Sequence, residues 1–435
     1  MSHYGAKLVV LASVLAYGLA SARAADSGGY RGPTRNGVYP EKGLLKTWPE
    51  GGPKLLWKYD QLGPGWTSVT VANQTAYVLG GASPGRLFAF TLDGQLKFTK
   101  PYGPDFRKRF DGSRSTVDIK DGRAYFASGL GVVYCLDAAT GETLWSVDTV
   151  VRFKNQVPGW GYNISPLVVD DKLVLPIRRG TNTMVALSLK TGETLWANEP
   201  STWAIGDSSP VLVEDGKTRL IVNNLWNATI AVDPATGKVV WKHEGPSGTI
   251  VTPVYHEGRL FAAVGGKATM YKLRPDGQGF ERLWEGSGFN GISQAVQLDG
   301  KVFLLANESR SVEYTETKGG KETKRTRTAN VLCLQALDAA TGRKVRSEAV
   351  QKEGSICAAD GMVYLLEGGE GAWQQGEPAK TRISLFKPTA DGFETAGAFF
   401  PVIGTKEAWV NPAIAEGRLW VRHGGLIAVY DIRAR

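Results

Sequence analysis

An all-β chain closed into an eight-bladed β-propeller of four-stranded antiparallel blades is predicted by three features: two recurring turn phrases and a chain that ends one strand short. The first phrase is DAATGETLW at 137–145, which returns as SLKTGETLW at 188–196, DPATGKVVW at 233–241 and DAATGRKVR at 338–346. Each joins one apolar run to a second, usually ending on Trp, with Gly141, Gly192, Gly237 or Gly342 where a tight hairpin loop needs positive φ. Asp137 and Thr140, with their counterparts, can accept backbone N–H groups inside that turn. The second phrase is an Asp-Gly or Glu-Gly hairpin tip, as in KDGRAYF at 120–126, HEGRLFAAV at 256–264, LDGKVFLL at 298–305, ADGMVYLL at 359–366 and EGRLWV at 416–421. The unit is therefore strand A, Asp-Gly turn, strand B, loop, strand C, Thr-Gly turn, strand D. The spacing of Trp145, Trp196 and Trp241 is too long for a solenoid of single strands and suits a four-stranded blade.

Counting strand A cores gives eight units, near 68–71, 115–119, 165–169, 209–213, 251–255, 293–298, 355–359 and 411–415. The first unit is degenerate, with ANQTAYV and LDGQLKF at its two turns, and the fifth and seventh replace the Thr-Gly turn by RPDGQGFERLW and TADGFETAGAF. The eighth supplies A, B and C and then stops at Arg435. PKLLWKYD at 53–60 has the strand D form, with Trp57 in the repeated position, so the N-terminal segment is expected to join the C-terminal blade and close the ring. Trp57, Trp145, Trp196, Trp241 and Trp284, with Phe98, Arg346 and Phe399 in the other blades, are expected to pack between adjacent blades.

Lys7, the apolar stretch from Leu8 to Ala20 and the ending Ala22-Arg23-Ala24 read as a signal peptide too short to span a membrane. The expected organisation is a signal peptide at 1–24, an N-terminal leader at 25–52 and one propeller domain at 53–435, monomeric, without a transmembrane segment, and periplasmic or secreted. No cysteine lies near Ala24, which argues against a bacterial lipid anchor. The net charge of +9 is spread along the chain except in KGGKETKRTR at 318–327, without the aromatic and basic interleaving that tracks nucleic acid, so no nucleic-acid partner is expected. Cys135, Cys333 and Cys357 fall in or beside apolar strands and read as buried thiols, and the His residues make no metal-ligand spacing.

An eightfold array of DG-hydrophobic and LDAxTGxxLW units resembles the pyrroloquinoline-quinone-like repeat family, the quinoprotein-type propellers, over about residues 53–431. The stretch GYRGPTRNGVYPEKGLLKTWPEGGPKLLWKYD also resembles the leader of secreted bacterial members, particularly planctomycete-type ones. The resemblance implies the propeller fold and two kinds of role. One is a pyrroloquinoline quinone-dependent dehydrogenase with calcium, oxidising an alcohol or sugar; the other is a non-catalytic scaffold, as in the lipoprotein of the outer-membrane assembly machinery. The alcohol-oxidising members carry paired cysteines and a calcium site of Glu, Asn and Asp. Here there is no Cys-Cys pair and no acidic cluster that aligns with those ligands, which favours an exported scaffold binding a ligand or an envelope protein.

Strand parity puts the short A–B and C–D turns on one face of the ring and the variable B–C and D–A loops on the other, where function concentrates. Just before strand A several blades carry an aromatic or polar residue: Trp66 in GPGWTS, Arg114 in GSRST, Trp160 and Tyr162 in PGWGYNISP, Trp203 and Asp207 in TWAIGDSSP, Asn290 in GFNGIS, and Trp409 and Asn411 in EAWVNP. These nine form a candidate axial mouth for a planar or sugar-like ligand; the alternative is a plug. In catalytic members of the family, the resemblance implies, the quinone sits at this end of the channel. B–C insertions at 307–330 and 368–381 read as solvated hairpins or mobile loops on one rim.

Overall fold

The computed structural model describes residues 28–434, apart from 109, 201–205, 246–250, 265–266, 287–288, 290–292, 319–320, 351–352, 369–380 and 405–409. It is an eight-bladed propeller. Blade 1 is built from Thr70–Ala72, Thr75–Gly80, Gly85–Thr91 and Leu96–Gly103 in antiparallel order. Blades 2 to 7 open with strands Asp118–Lys120, Leu167–Val169, Val211–Asp215, Val254–His256, Val296–Leu298 and Gly354–Ala359. Blade 8 holds Ala413–Ala415, Arg418–His423 and Leu426–Asp431, and its fourth strand is Lys54–Tyr59. Lys54 lies opposite Asp431 and Tyr59 opposite Ile427, so the N-terminal segment closes the ring as its Trp57 phrase predicts. Strands A of neighbouring blades touch one another and line the axis.

The turns have the chemistry their residues specify. At Asp121-Gly122 both residues take positive φ, 49° and 71°, which a two-residue hairpin loop of this hand requires. In the Thr-Gly phrase Asp137 Oδ1 accepts from Ala139 N at 2.9 Å and Thr140 N at 2.8 Å, and Gly141, with φ 74°, closes the loop onto Asp137 O. Asp233 and Asp338 repeat that arrangement.

Strand D is where one blade grips the next. In every blade the C–D ladder slips register close to the repeated aromatic position, for example between Thr143 and Trp145 and between Leu55 and Trp57. Such a bulge re-aims the side chain. Each ring then lies over the turn glycine of the following blade. A Cβ on Gly192 would stand 2.9 Å from Trp145, on Gly237 2.4 Å from Trp196, and on Gly342 2.6 Å from Trp284. The indole N–H completes the contact, Trp145 Nε1 donating to Leu189 O at 3.1 Å and Trp284 Nε1 to Ala339 O at 3.0 Å. Phe98 on Gly141 and Arg346 on Gly392 stand in the same position where Trp is lacking; in blade 7, against the expectation for Phe399, that position is Gly397, and Phe399 two residues on covers Gly52 instead. The rings are wetter than full inter-blade burial predicts: Trp196 is 9% exposed, whereas Trp57, Trp145, Trp241 and Trp284 are only half-buried, because one edge faces the outer rim.

Residues 28–52 run down the axis of the ring. Tyr30 Oη lies 3.3 Å from Thr252 Oγ1. Arg31 donates to Gln294 Oε1 at 2.7 Å and Ala295 O at 2.6 Å, and Arg35 to Ser165 O, Pro210 O and Asp118 Oδ2 at 3.0, 3.1 and 2.9 Å. Val38–Tyr39 pairs in parallel with strand A of blade 7, giving that sheet a fifth strand, and Tyr39 Oη donates to Pro412 O in front of blade 8. The segment leaves on the A–B turn side, where Glu41 accepts from Gly417 N and Leu44 N donates to Asp360. Tyr39, Leu44 and Trp48 join the hydrophobic cluster that unites blades 7, 8 and 1.

The 307–330 insertion extends strands B and C of blade 6 into one long hairpin, Lys301–Lys318 with Lys321–Asp338. The 368–381 insertion lies almost wholly outside the described residues. Cys135, Cys333 and Cys357 are buried free thiols, and burial pushes the Cys135 thiol up to about 11.

Two outcomes follow from this packing. Deleting 53–60 exposes the edge of Leu426–Asp431 and removes the ring over Gly94, so the truncated chain should aggregate or melt far below the full one; equal melting temperatures would refute closure. Trp196→Ala should lower stability by about 3–5 kcal/mol in denaturant titration, with a smaller loss for the wetter Trp145→Ala.

Candidate functional site

The loops ahead of strand A converge on a cavity of about 440 Å³ at the variable face of the axis. Its wall draws on blades 1, 2, 3, 4, 6, 7 and 8, and Tyr30 of the leader belongs to it. A larger groove of about 1020 Å³ lies among the turns of blades 4 and 5 on the opposite face. That groove is lined by turn charges such as Arg219, already held by Asp170 and Glu214, and by no aromatic ring. Of the two, the axial cavity is the one walled by aromatic rings.

Its rim starts in blade 1. Trp66 N bonds Ser113 O at 2.8 Å, Trp66 Nε1 donates to Asp111 O at 3.2 Å, and the ring meets Phe110 edge-on at 5.8 Å. The 104–116 loop is anchored by Asp105, whose carboxylate accepts from Phe106 N and Gly129 N and takes the Tyr102 hydroxyl at 2.5 Å. Arg114 folds back over the Phe106 ring, 5.1 Å from its centroid, and donates to Gly112 O at 3.0 Å and to Phe110 O. Gly161, with φ +92°, makes room, since a Cβ there would fall 2.7 Å from Arg114 Nη1. Burial pushes the Arg114 guanidinium down to about 10.

Trp160 is held between two charges. Its Nε1 donates to Asp207 Oδ2 at 3.1 Å, and the Arg178 guanidinium carbon lies 5.7 Å from the ring centroid. Arg178 Nη1 is 3.4 Å from Asp207 Oδ1. Burial raises the Asp207 carboxyl to about 6, although Arg178, the Trp160 N–H and Arg114 pull the other way.

Of the nine sequence-derived residues, Trp66, Arg114, Trp160, Asp207 and Asn411 line the cavity. Tyr162 does not: it is buried beneath the wall, its hydroxyl donating to Pro176 O at 3.0 Å. Its neighbour two residues earlier turns outward, whereas Tyr162 and Ile164 belong to the hydrophobic core of blades 2 to 4. Trp203, Asn290 and Trp409 lie outside the described residues. Sequence reasoning missed Phe110, Asn163, Trp226, Ser293, Glu353 and the leader's Tyr30. A signal existed for one class of them. Most blades place Ser or Thr at the head of strand A, and across blades 1 to 4 such hydroxyls bridge neighbours, as Ser165 Oγ does in accepting from Thr116 N and Ser209 Oγ from Ser165 N, both at 3.0 Å; in blade 6 Gln294 Oε1 takes the role, accepting from Thr252 N.

Three buried polar atoms of the cavity wall have no partner among the described residues: Asn163 Oδ1, Ser293 Oγ and Asn411 Oδ1. A buried polar group left so costs about 1–3 kcal/mol, so each of these atoms calls for an explanation beyond packing. Formal charges on the wall are Arg114, Asp207 and Glu353, two negative against one positive. Among the described residues no three His, Cys, Asp or Glu side chains gather as metal ligands.

Because the folded-state value of Asp207 lies above the unfolded one near 3.8, its stabilising contribution is present below that pH and is lost as pH rises through about 6. A carboxyl NMR titration of Asp207 should have its midpoint near 6, and Trp160 fluorescence should follow it and lose the step in Asp207→Asn. A midpoint near the ordinary 3.8 would show that the carboxyl is solvated.

Known proteins place this geometry. The sequence matches the family described as outer membrane protein assembly factor BamB at 103–326 and 226–381. Among solved structures, BamB from Moraxella catarrhalis superposes with TM-score 0.57 at 16% identity, covering 87% of this chain and 99% of that one. Quinohemoprotein alcohol dehydrogenase from Comamonas testosteroni does so with TM-score 0.62 at 14% identity, covering 94% and 81%. Tetrathionate hydrolase of Acidithiobacillus ferrooxidans is 25% identical over 276 residues, 58% of this chain and 51% of the relative, so the chain spans about half the length of the curated relative it matches. Since the family match takes in more than half of its residues, this PQQ-like repeat propeller belongs to the family described as outer membrane protein assembly factor BamB.

Proposed function

We propose that this chain is an exported, non-catalytic propeller of the cell envelope that binds a small ring-shaped ligand in its axial cavity. The observation that carries this reading is the convergence of Trp66, Phe110, Trp160 and Trp226 with unpartnered polar atoms from the Trp160 loop and two others on one cavity. Aromatic walls with a few placed polar groups are what small-molecule sites share. Export rests on the signal-like segment at 1–24, and membership of an envelope family agrees with it.

The runner-up is a quinone-dependent dehydrogenase, favoured by the fold it shares with quinohemoprotein alcohol dehydrogenase. The donor set here does not fit pyrroloquinoline quinone with calcium. The quinone is a polyanion, but the wall offers two carboxylates and one cation, Arg114, whose terminal nitrogens serve carbonyls of its own loop. The wall's two carboxylates lie on different blades, Asp207 already engaged by Trp160 and Arg178, which leaves no cage of oxygens for calcium.

The exported chain should begin at Ala25 on N-terminal sequencing and should show no dye-linked oxidation of alcohols or aldoses after incubation with the quinone and calcium. In a thermal-shift screen of planar aromatics and sugars, compounds that raise the melting temperature should lose that effect in Trp160→Ala and keep it in Lys190→Ala on the opposite face. Oxidation activity would favour the dehydrogenase, and a shift insensitive to Trp160 would move the site.

A further inference from the structure

We infer that the ligand class of this cavity is a neutral, hydroxyl-rich ring, a saccharide, and that Asn163, Ser293 and Asn411 are its polar receptors. The inference rests on the axial cavity being the binding site and goes on to the chemistry of its occupant.

The orphan atoms decide first. Ser293 is 3% exposed and Asn411 9%, yet Ser293 Oγ and Asn411 Oδ1 have no partner among the described residues, and Asn163 Oδ1 is buried in the same wall. A hydroxyl both donates and accepts, so an alcohol satisfies a Ser oxygen and either end of an Asn amide, whichever way that amide is turned. A ligand whose polar atoms are carbonyls and carboxylates only accepts, and would leave the two Asn oxygens unpaired.

Charge decides next. Arg178 is committed to Asp207 and Arg114 to Gly112 O and Phe110 O, so an anion would find no uncommitted cation among the described residues of the wall. A neutral ring needs none, and a carboxylate such as Asp207 accepts hydroxyl protons well. Shape agrees with this choice. Trp160 is 41% exposed and is held by Asp207 and Arg178, so it presents a fixed, partly open ring. The apolar C–H face of a pyranose covers such a ring while its equatorial hydroxyls reach outward to the wall.

Titration calorimetry and indole N–H NMR on the exported chain, with glucose, galactose, N-acetylglucosamine, maltose and cellobiose as neutral probes and anthraquinone-2,6-disulfonate as the planar anion, test the assignment. At least one neutral sugar should bind and shift the Trp160 indole resonance, and the disulfonate should not compete. Ser293→Ala and Asn411→Ala should weaken that sugar roughly tenfold or more. Ser293→Ala should leave the ligand-free melting temperature unchanged or raised, since it removes a group that lacks a partner, and this readout separates a binding role from a structural one. Binding of the disulfonate at Trp160 without any sugar would overturn the saccharide class and leave the cavity as the site. Failure of every probe to move a cavity tryptophan, with the fold intact, would overturn both.

Discussion

The structure depends on a ring laid flat over a glycine. In each blade a residue of strand D covers the turn glycine of the next blade, from Trp57 on Gly94 round to Phe399 on Gly52. Any side chain on the glycine would occupy the space of the ring, and positive φ at those turns independently selects glycine. Two requirements therefore meet at one residue, which is why the Thr-Gly phrase recurs with so little variation. The bulge near the ring position turns the side chain towards its neighbour, and at Trp57, Trp145, Trp196 and Trp284 the indole N–H adds a bond to the turn carbonyl. The contact obeys the same rule at the closure, where Gly52 and Trp57 come from the opposite end of the chain to the rest of blade 8.

Ring closure leaves an axial channel, and the leader fills it. Arg31 and Arg35 are almost wholly buried, a costly place for cations unless partners surround them. The inner ends of the blades supply those partners as carbonyls, Gln294 and Asp118, groups that a twisted ring of strand heads leaves pointing at the axis. One segment thus contacts several blades at once and couples them along the axis while the docked aromatics couple them around the rim. The filled channel also explains why the cavity is confined to the variable face and has Tyr30 at its base.

Within that cavity the protein departs from its own rules. Elsewhere the strand-head hydroxyls bridge neighbouring blades, as from Thr116 to Ser165 to Ser209. In blade 6 Gln294 takes that place and accepts from Thr252 N at 3.0 Å, whereas Asn411 Oδ1, and Ser293 Oγ one residue before Gln294, are left in the wall without partners among the described residues. Places where local satisfaction fails in an otherwise consistent fold are where function is expected.

The sequence by itself determined the eight blades, their strand order, the turn geometry and the closing strand, because each depends on local rules: alternation, Asp-Gly and Thr-Gly turns, and one strand too few at the C-terminus. It also brought Trp66, Arg114, Trp160, Asp207 and Asn411 to one mouth, since position ahead of strand A is a property of the repeat. It could not separate Trp160 from Tyr162, two residues apart in one loop, because which of them turns into the core depends on packing against blades 2 to 4. Tyr30 and the channel arginines were illegible for a different reason. Their turn-rich, unrepeated segment carries no period, and its place is set by carbonyls from blades hundreds of residues away, which only the closed ring assembles.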